Sequence, residues 1–519
     1  MRPARFTMRS NIIARNSVLT VTDFAVSTVG SFIAVVLVAR AMGPEKLGYY
    51  TYVLWLVHVA AIVGHFGVPS ATRKYLAEFL GKEDVATAKA ILRAMFRLQL
   101  ASSLVLTGVG VAIALAVLPA EHSGYTVAAL LSLIPAMLMS IPTSANMAIE
   151  DFSSNVLSSI VGTLFSVLGV LVVLWFEWGL LGLSASLLLS RTVDFACRQY
   201  LYQRRFPEYL ATRFGNVPEA STGILPELRR RMMSFCLQAT GLLVLNLVVW
   251  DRAEVFFLRH FSDIRDVAFY SMSFGIMRAL ANLPQAFGSA AGANLMSQHA
   301  IDAKPLPHLA ATTLRYQALL ALPLAMGMAA LSFPFVMFFY GERYEPAIPV
   351  LAILALFSIP AALLNGVRLL LIASEHQGFL LKWGIVCAIL NLGLDWWWIP
   401  TGGAVGAALA NGVSQSVAAA GIWAFAVRRF EILVPWRSLL KVAFCAVTMA
   451  AAVVAVTYYL SPGLALGAGL LTGIAVFLAS LRWTRALEPA DRGRLIGFQH
   501  SLPPPLRTWY AFGVQVVTS

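Results

Sequence analysis

Charge is scarce in this chain. Asp, Glu, Lys and Arg make up only 12% of its 519 residues, where a soluble domain carries about a quarter. That shortage excludes an ordinary water-soluble globule. Cysteine is also rare: Cys197, Cys236, Cys387 and Cys445 stand far apart, with no CxxC and no metal-ligand spacing. A disulfide framework and a zinc site are thereby excluded, and the four read as small apolar packing residues. There is no GxxxxGK[ST], so ATP hydrolysis at a P-loop is excluded. No HExxH or GxSxG occurs, and no loop gathers His, Asp and Glu. Neither a metal nor a cofactor is expected, and no enzyme. Alternating ten-residue segments, the mark of an outer-membrane barrel, are absent too.

Apolar residues are abundant, at 59%. They gather into runs of about 20 residues, the length a helix needs to cross the hydrocarbon core. Roughly fourteen spans are predicted, near 16–39, 47–69, 94–118, 125–147, 154–176, 179–201, 233–257, 267–296, 310–338, 347–372, 379–399, 403–427, 438–460 and 463–481. The fold class is an all-α polytopic membrane protein. The net charge of +13 does not point to nucleic acid. Counted from an inside N-terminus, 29 of the 38 Lys and Arg fall in inside segments and five in outside loops. The positive-inside rule then places both termini in the cytoplasm. The basic N-terminus precedes an apolar run too long for a signal-peptide core, so it reads as a retained first helix.

The longest hydrophilic insert, near 203–232, is read as an inside linker between two lobes, 1–202 and 233–430. Residues 431–483 would add two helices, and 484–519 a cytoplasmic tail that includes Pro503-Pro504-Pro505. The lobes look like copies. Gly179-Leu-Leu-Gly182 runs on to Ser190, and Gly403-Ala-Val-Gly406 runs on to Ser414, 224 residues later. Arg40 before Tyr50 is matched by Arg259 before Tyr270. Six spans repeated once keep their orientation, so the expected symmetry is a pseudo-two-fold along the membrane normal around a central cavity.

The polar residues inside the spans are the functional candidates. At 100° per residue, Ser271, Gly275, Arg278, Asn282, Gln285 and Ser289 share one arc of the eighth span. An arginine at bilayer depth costs at least about 2.5–3.5 kcal/mol on insertion scales, so this stripe must face protein or water. Two readings stand: an internal seam in which a carboxylate neutralises Arg278, or the wall of a hydrated cavity that holds an anion. Asn365 and Arg368, in the inner half of the tenth span, are further cavity candidates. Arg73 at the inner mouth of the second span is where an anionic headgroup first meets a cation. Candidates for ion pairing or coupling are Asp23, the pair Arg191 and Asp194, and the cluster Asp251, Arg252 and Glu254. Arg191 and Asp194 are three apart and are expected to pair with each other. The 251–254 cluster is expected to be an ion-pair group near the outer interface.

Several stretches resemble the polysaccharide transporter family of the multidrug/oligosaccharidyl-lipid/polysaccharide exporter superfamily. They are Arg40-Ala-Met-Gly43-Pro44-Glu45 through Tyr50, His65 through Tyr75, Asp251 with the run Val267 to Ser273, Gly341 through Ala347, and Asn391 through Leu409. Ala268 and Asp395 depart from the usual Gly and Asn. Asp395 would pair with a cavity cation or sit at the outer interface beside Trp396, Trp397 and Trp398. The resemblance implies two six-helix lobes plus two helices. It also implies a flippase that carries an undecaprenyl-pyrophosphate-linked oligosaccharide across the cytoplasmic membrane by alternating access. Its partners would be that lipid, the bilayer, and a polysaccharide polymerase or assembly protein. The alternatives are a cation-coupled exporter of small molecules on the same fold, which would favour buried carboxylates, and a membrane enzyme, which would need a large outside domain.

Overall fold

The computed structural model describes residues 3–215, 225–301 and 306–486. The tail with its three prolines, the segment 216–224 within the expected linker, and the side chains of the N-terminal arginines and of Ser289 lie outside the described residues. Among the described residues the chain is helical throughout, and eleven helices are long and apolar enough to cross a membrane. The difference from fourteen has a simple origin. Two of the eleven hold two expected spans each, and a twelfth long helix carries the polar stripe.

The first of the merged helices is α1 (Pro3–His65), which bends at Gly43 (φ 78°) just before Pro44. A side chain would be strained at that dihedral, and the proline removes a helical donor. The second is α15 (Gln377–Phe430), bent at Gly403 (φ 51°). Its counterpart in the sequence comparison has a similar dihedral. Gly179, which opens α8 (Gly179–Phe214), also has positive φ (63°), and Ser190 and Ser414 are both buried.

The chain forms two compact units, 1–247 and 248–519. In the first, α2 (Val68–Gly81) and α3 (Val85–Val117) follow the bent α1. Asp84 caps α3 by accepting from the Thr87 N–H. One expected span is broken into α4 (Ala120–Leu131), α5 (Leu133–Leu138) and α6 (Ser140–Ala148). Then come α7 (Phe152–Trp175), capped by Asp151, and α8. The helix α1 packs on α7, and α7 on α8. The expected linker is largely helical instead: α8 continues to Phe214, and α9 (Pro226–Trp250) begins soon after. A core cluster of Val68, Ala71, Tyr75 and Leu76 with Met232 and Cys236 anchors the start of α9 on α2.

The second unit begins where α9 ends. A short α10 (Glu254–Phe261) leads to α11 (Ile264–Ile301) and α12 (Leu306–Phe339). The tenth span is broken into α13 (Ala347–Ala362) and α14 (Asn365–Ala373). After α15, the hairpin α16 (Trp436–Thr457) and α17 (Pro462–Thr484) packs on α12. Side chains such as Trp175, Trp397, Tyr459 and Trp483 are more than three-quarters exposed, as expected of a surface solvated by lipid and its interface.

Candidate functional site

Two interruptions of regular helix build the site, both in the second unit. The turn 251–253 separates α9 from α10 and releases Asp251 sideways. The break at Leu363 and Leu364 separates α13 from α14, so that Asn365 and Arg368 stand on a fresh helix start. Non-helical backbone at membrane depth is tolerated where it lines a cavity. It does so here. A cavity of about 220 Å³ is lined by Arg278, Asn282 and Gln285 of α11, by Asn365 and Arg368 of α14, and by Asn411 and Gln415 of α15. Trp250, Phe274 and Phe357 add aromatic walls. Asn365 Nδ2 donates to the Gln285 carbonyl at 3.0 Å and ties the broken span to α11.

Five of the seven expected cavity residues are thus brought together. Ser289 is on α11, but its side chain lies outside the described residues. Arg73 does not line this cavity. It stands exposed on α2, with Nη1 3.8 Å from Met147 Sδ. On the same short helix Glu78 is bonded by Lys82 at 2.7 Å, which holds its carboxyl below the usual value.

Arg278 has a partner. Its Nη1 lies 3.1 Å from Asp251 Oδ1. That carboxylate also accepts the Arg252 N–H at 3.0 Å, and Arg252 Nε is 3.7 Å away. Arg278 thus both pairs with a carboxylate and lines a cavity. The decisive numbers are the exposures: the Asp251 side chain is 11% exposed and that of Arg278 is 57%. The acid is buried and the guanidinium still faces open space. The charged residues in the cavity lining are both arginines, Arg278 and Arg368.

Of the expected ion-pair cluster at 251–254, Asp251 and Arg252 stand within ion-pair distance, but Glu254 does not join them. Glu254 is fully buried and is held by neutral donors. Tyr270 OH donates to Oε2 at 2.8 Å, while Asn411 Nδ2 and Asn391 Nδ2 donate to Oε1 at 2.8 and 3.2 Å. The Asn391 amide also reaches Asp395 Oδ2 at 3.0 Å. Asp395 is likewise fully buried, and its Oδ1 has no partner among the described residues. Neither expectation for Asp395 holds: it sits inside the bundle while Trp396 and Trp397 turn outward, because successive helical residues face different sides. Two carboxylates enclosed together need a compensating proton or small cation. Asn411 links this pair to the cavity. It donates to Glu254, reaches the Asp251 carbonyl at 3.4 Å, and accepts from Gln415 at 3.0 Å.

In the first unit, Asp194 does not pair with Arg191. It pairs with Arg198, four residues on, through Oδ1 at 2.8 Å. An acid four residues before a base is the better helical arrangement, and both partners are buried. Arg191 stands exposed. Asp23 accepts from Ser27 at 3.5 Å.

Comparison with known proteins agrees with this architecture. Among solved structures, an inward closed lipid II flippase MurJ superposes with a TM-score of 0.69 at 14% identity, covering 89% of this chain and 97% of that one. An inward-facing multidrug resistance MATE family transporter of the MOP superfamily gives 0.63 at 15%, covering 78% and 94%. A MOP superfamily transporter from Pyrococcus furiosus, described as having a binding pocket of reverse polarity, gives 0.56 at 15%, covering 81% and 95%. At such identities the likeness is one of fold, and the proteins matched are themselves described as transporters and a flippase. Curated protein sequences give no match. The profile of one family, described as "Polysaccharide biosynthesis protein", matches residues 37–349. That stretch is more than half of the chain, which therefore belongs to this polysaccharide biosynthesis family and has the MurJ/MATE-like transporter fold.

Proposed function

We propose that the protein is a flippase for an undecaprenyl-pyrophosphate-linked oligosaccharide and works by alternating access in the cytoplasmic membrane, with both termini inside. One observation carries the reading. A cavity within the membrane bundle offers Arg278, paired yet largely exposed, together with Arg368 and a wall of carboxamides. Guanidinium is the side chain best suited to phosphate oxygens, which it binds through paired, charge-assisted hydrogen bonds. An incoming diphosphate takes Arg278 from Asp251. Asn282, Gln285, Asn411 and Gln415 supply neutral donors and acceptors next to it.

Glu254 and Asp395 are the groups on which an ion gradient would act, since Asn411, which donates to Glu254, also lines the cavity. Such buried carboxylates also suit a cation-coupled exporter of small molecules. The two arginines argue against that second reading, because they repel the cationic cargo such an exporter would carry.

Translocation of a labelled lipid-linked oligosaccharide in proteoliposomes tests the proposal. Wild-type protein is expected to move the glycan across and Arg278→Ala to lose the activity at normal protein yield. Full translocation by Arg278→Ala would remove the cavity arginine from the mechanism.

A further inference from the structure

The first unit has a polar cavity of its own, to which the diphosphate reading gives no task. It encloses about 230 Å³ between α1, α7 and α8, far beyond the ~10–15 Å³ that one water requires. Its lining is unusual for a membrane bundle. Six hydroxyl side chains face it, with one acid, one arginine, and Leu187 as the only apolar side chain.

Hydroxyls in membrane helices usually satisfy themselves on a carbonyl one turn back. In this unit Thr51, Thr72, Thr126, Thr143 and Thr192 all do so. The cavity residues Ser31, Thr163 and Ser166 differ: among the described residues they have no hydrogen-bond partner. A second observation points the same way. Asp194 is only 8% exposed. Its Oδ1 is used by Arg198 Nε and Nη2 at 3.3 and 2.8 Å. Its Oδ2 has no hydrogen bond among the described residues and lies on the side of Gly162, 3.4 Å from where a Cβ there would stand. Gly162 itself lines the cavity. A buried carboxylate oxygen is therefore presented to the space, with unpaired hydroxyls around it.

The geometry points to a binding subsite for one sugar unit, a neutral polyhydroxyl ring, in this cavity. With one acid and one arginine in the lining, neither a free anion nor a free cation is favoured. An apolar ligand would find no wall. A sugar offers what the lining lacks: hydroxyl donors for Asp194 Oδ2, and acceptors for Arg191 and the three free hydroxyls. This deepens the reading proposed above, on which it rests, by assigning part of the glycan's recognition to the first unit rather than to the diphosphate cavity.

The test uses full-length protein in lipid nanodiscs and two probes, undecaprenyl diphosphate alone and the same lipid bearing a disaccharide. Binding of each is measured for wild type, for the triple variant Ser31→Ala, Thr163→Val, Ser166→Ala, and for Arg278→Ala. Wild type is expected to favour the glycosylated probe. The triple variant should lose roughly ten- to a hundredfold of that preference, the worth of two or three neutral hydrogen bonds, and bind the bare lipid as before. These substitutions remove only unpaired hydroxyls, so the bare lipid also reports folding. The inference is overturned if the triple variant keeps the preference, if both probes weaken together, or if wild type shows no preference. A wild type that binds neither probe, or an Arg278→Ala that binds both normally, instead defeats the diphosphate reading underneath it.

Discussion

Asp251→Asn should strengthen anion binding. On the proposed reading Asp251 stands in for the phosphate of the cargo, with its Oδ1 3.1 Å from Arg278 Nη1. Any incoming diphosphate must displace it. Coulomb's law gives about 5 kcal/mol for such a pair at an effective dielectric of 20, and about 1.3 kcal/mol in bulk water. Since the Arg278 side chain is 57% exposed, screening brings the value toward the lower limit, and about 1–2 kcal/mol is a fair figure. The asparagine keeps the shape, keeps an Oδ1 for the Arg252 N–H, and leaves the main-chain carbonyl that Asn411 uses. Only the charge is lost. Affinity for inorganic pyrophosphate, measured by calorimetry on purified protein, should rise about five- to thirtyfold at ~1.4 kcal/mol per decade. Unchanged or weaker binding by a variant that melts like wild type would refute the idea that Asp251 competes with the ligand.

Other consequences follow from single contacts. Arg198→Met leaves Asp194 as an uncompensated buried charge and should cost about 3–5 kcal/mol, read as a lower melting temperature in detergent. Asn411→Leu takes a donor from both Glu254 and the Asp251 carbonyl, and is expected to lower stability by about 3 kcal/mol and to weaken pyrophosphate binding as well. Gly403→Ala puts a side chain at φ 51° with its Cβ against the Asp266 carboxylate. The strain, about 1–3 kcal/mol, should likewise appear as a drop in melting temperature, and an unchanged transition would show that the kink does not need glycine.

What could be read from the sequence depended on how far apart the partners lie along the chain. Spans were legible because length and apolarity are local properties. The polar stripe of α11 was legible because its members recur at helical spacing. The partner of Arg278 was not, since Asp251 is separated from it by 27 residues and a change of helix. The Glu254 network joins positions up to 157 residues apart, and no local pattern announces that. A trace existed in Asn391 and Asp395, an amide and an acid one turn apart in an otherwise apolar run. The misassigned pair Arg191 and Asp194 shows the limit of spacing alone: two bases stood within a turn of the acid, and the one four residues on was better placed. The aromatic walls, Trp250, Phe274 and Phe357, were invisible because aromatic residues are common throughout such a chain.

Equilibrium binding of undecaprenyl diphosphate to wild type and to Arg278→Ala, in nanodiscs of neutral lipid, tests the cationic cavity most directly. Saturable binding that falls at least tenfold in the variant is the predicted result. Equal affinity in the two proteins, both folded, would contradict the assignment of the cavity to a diphosphate.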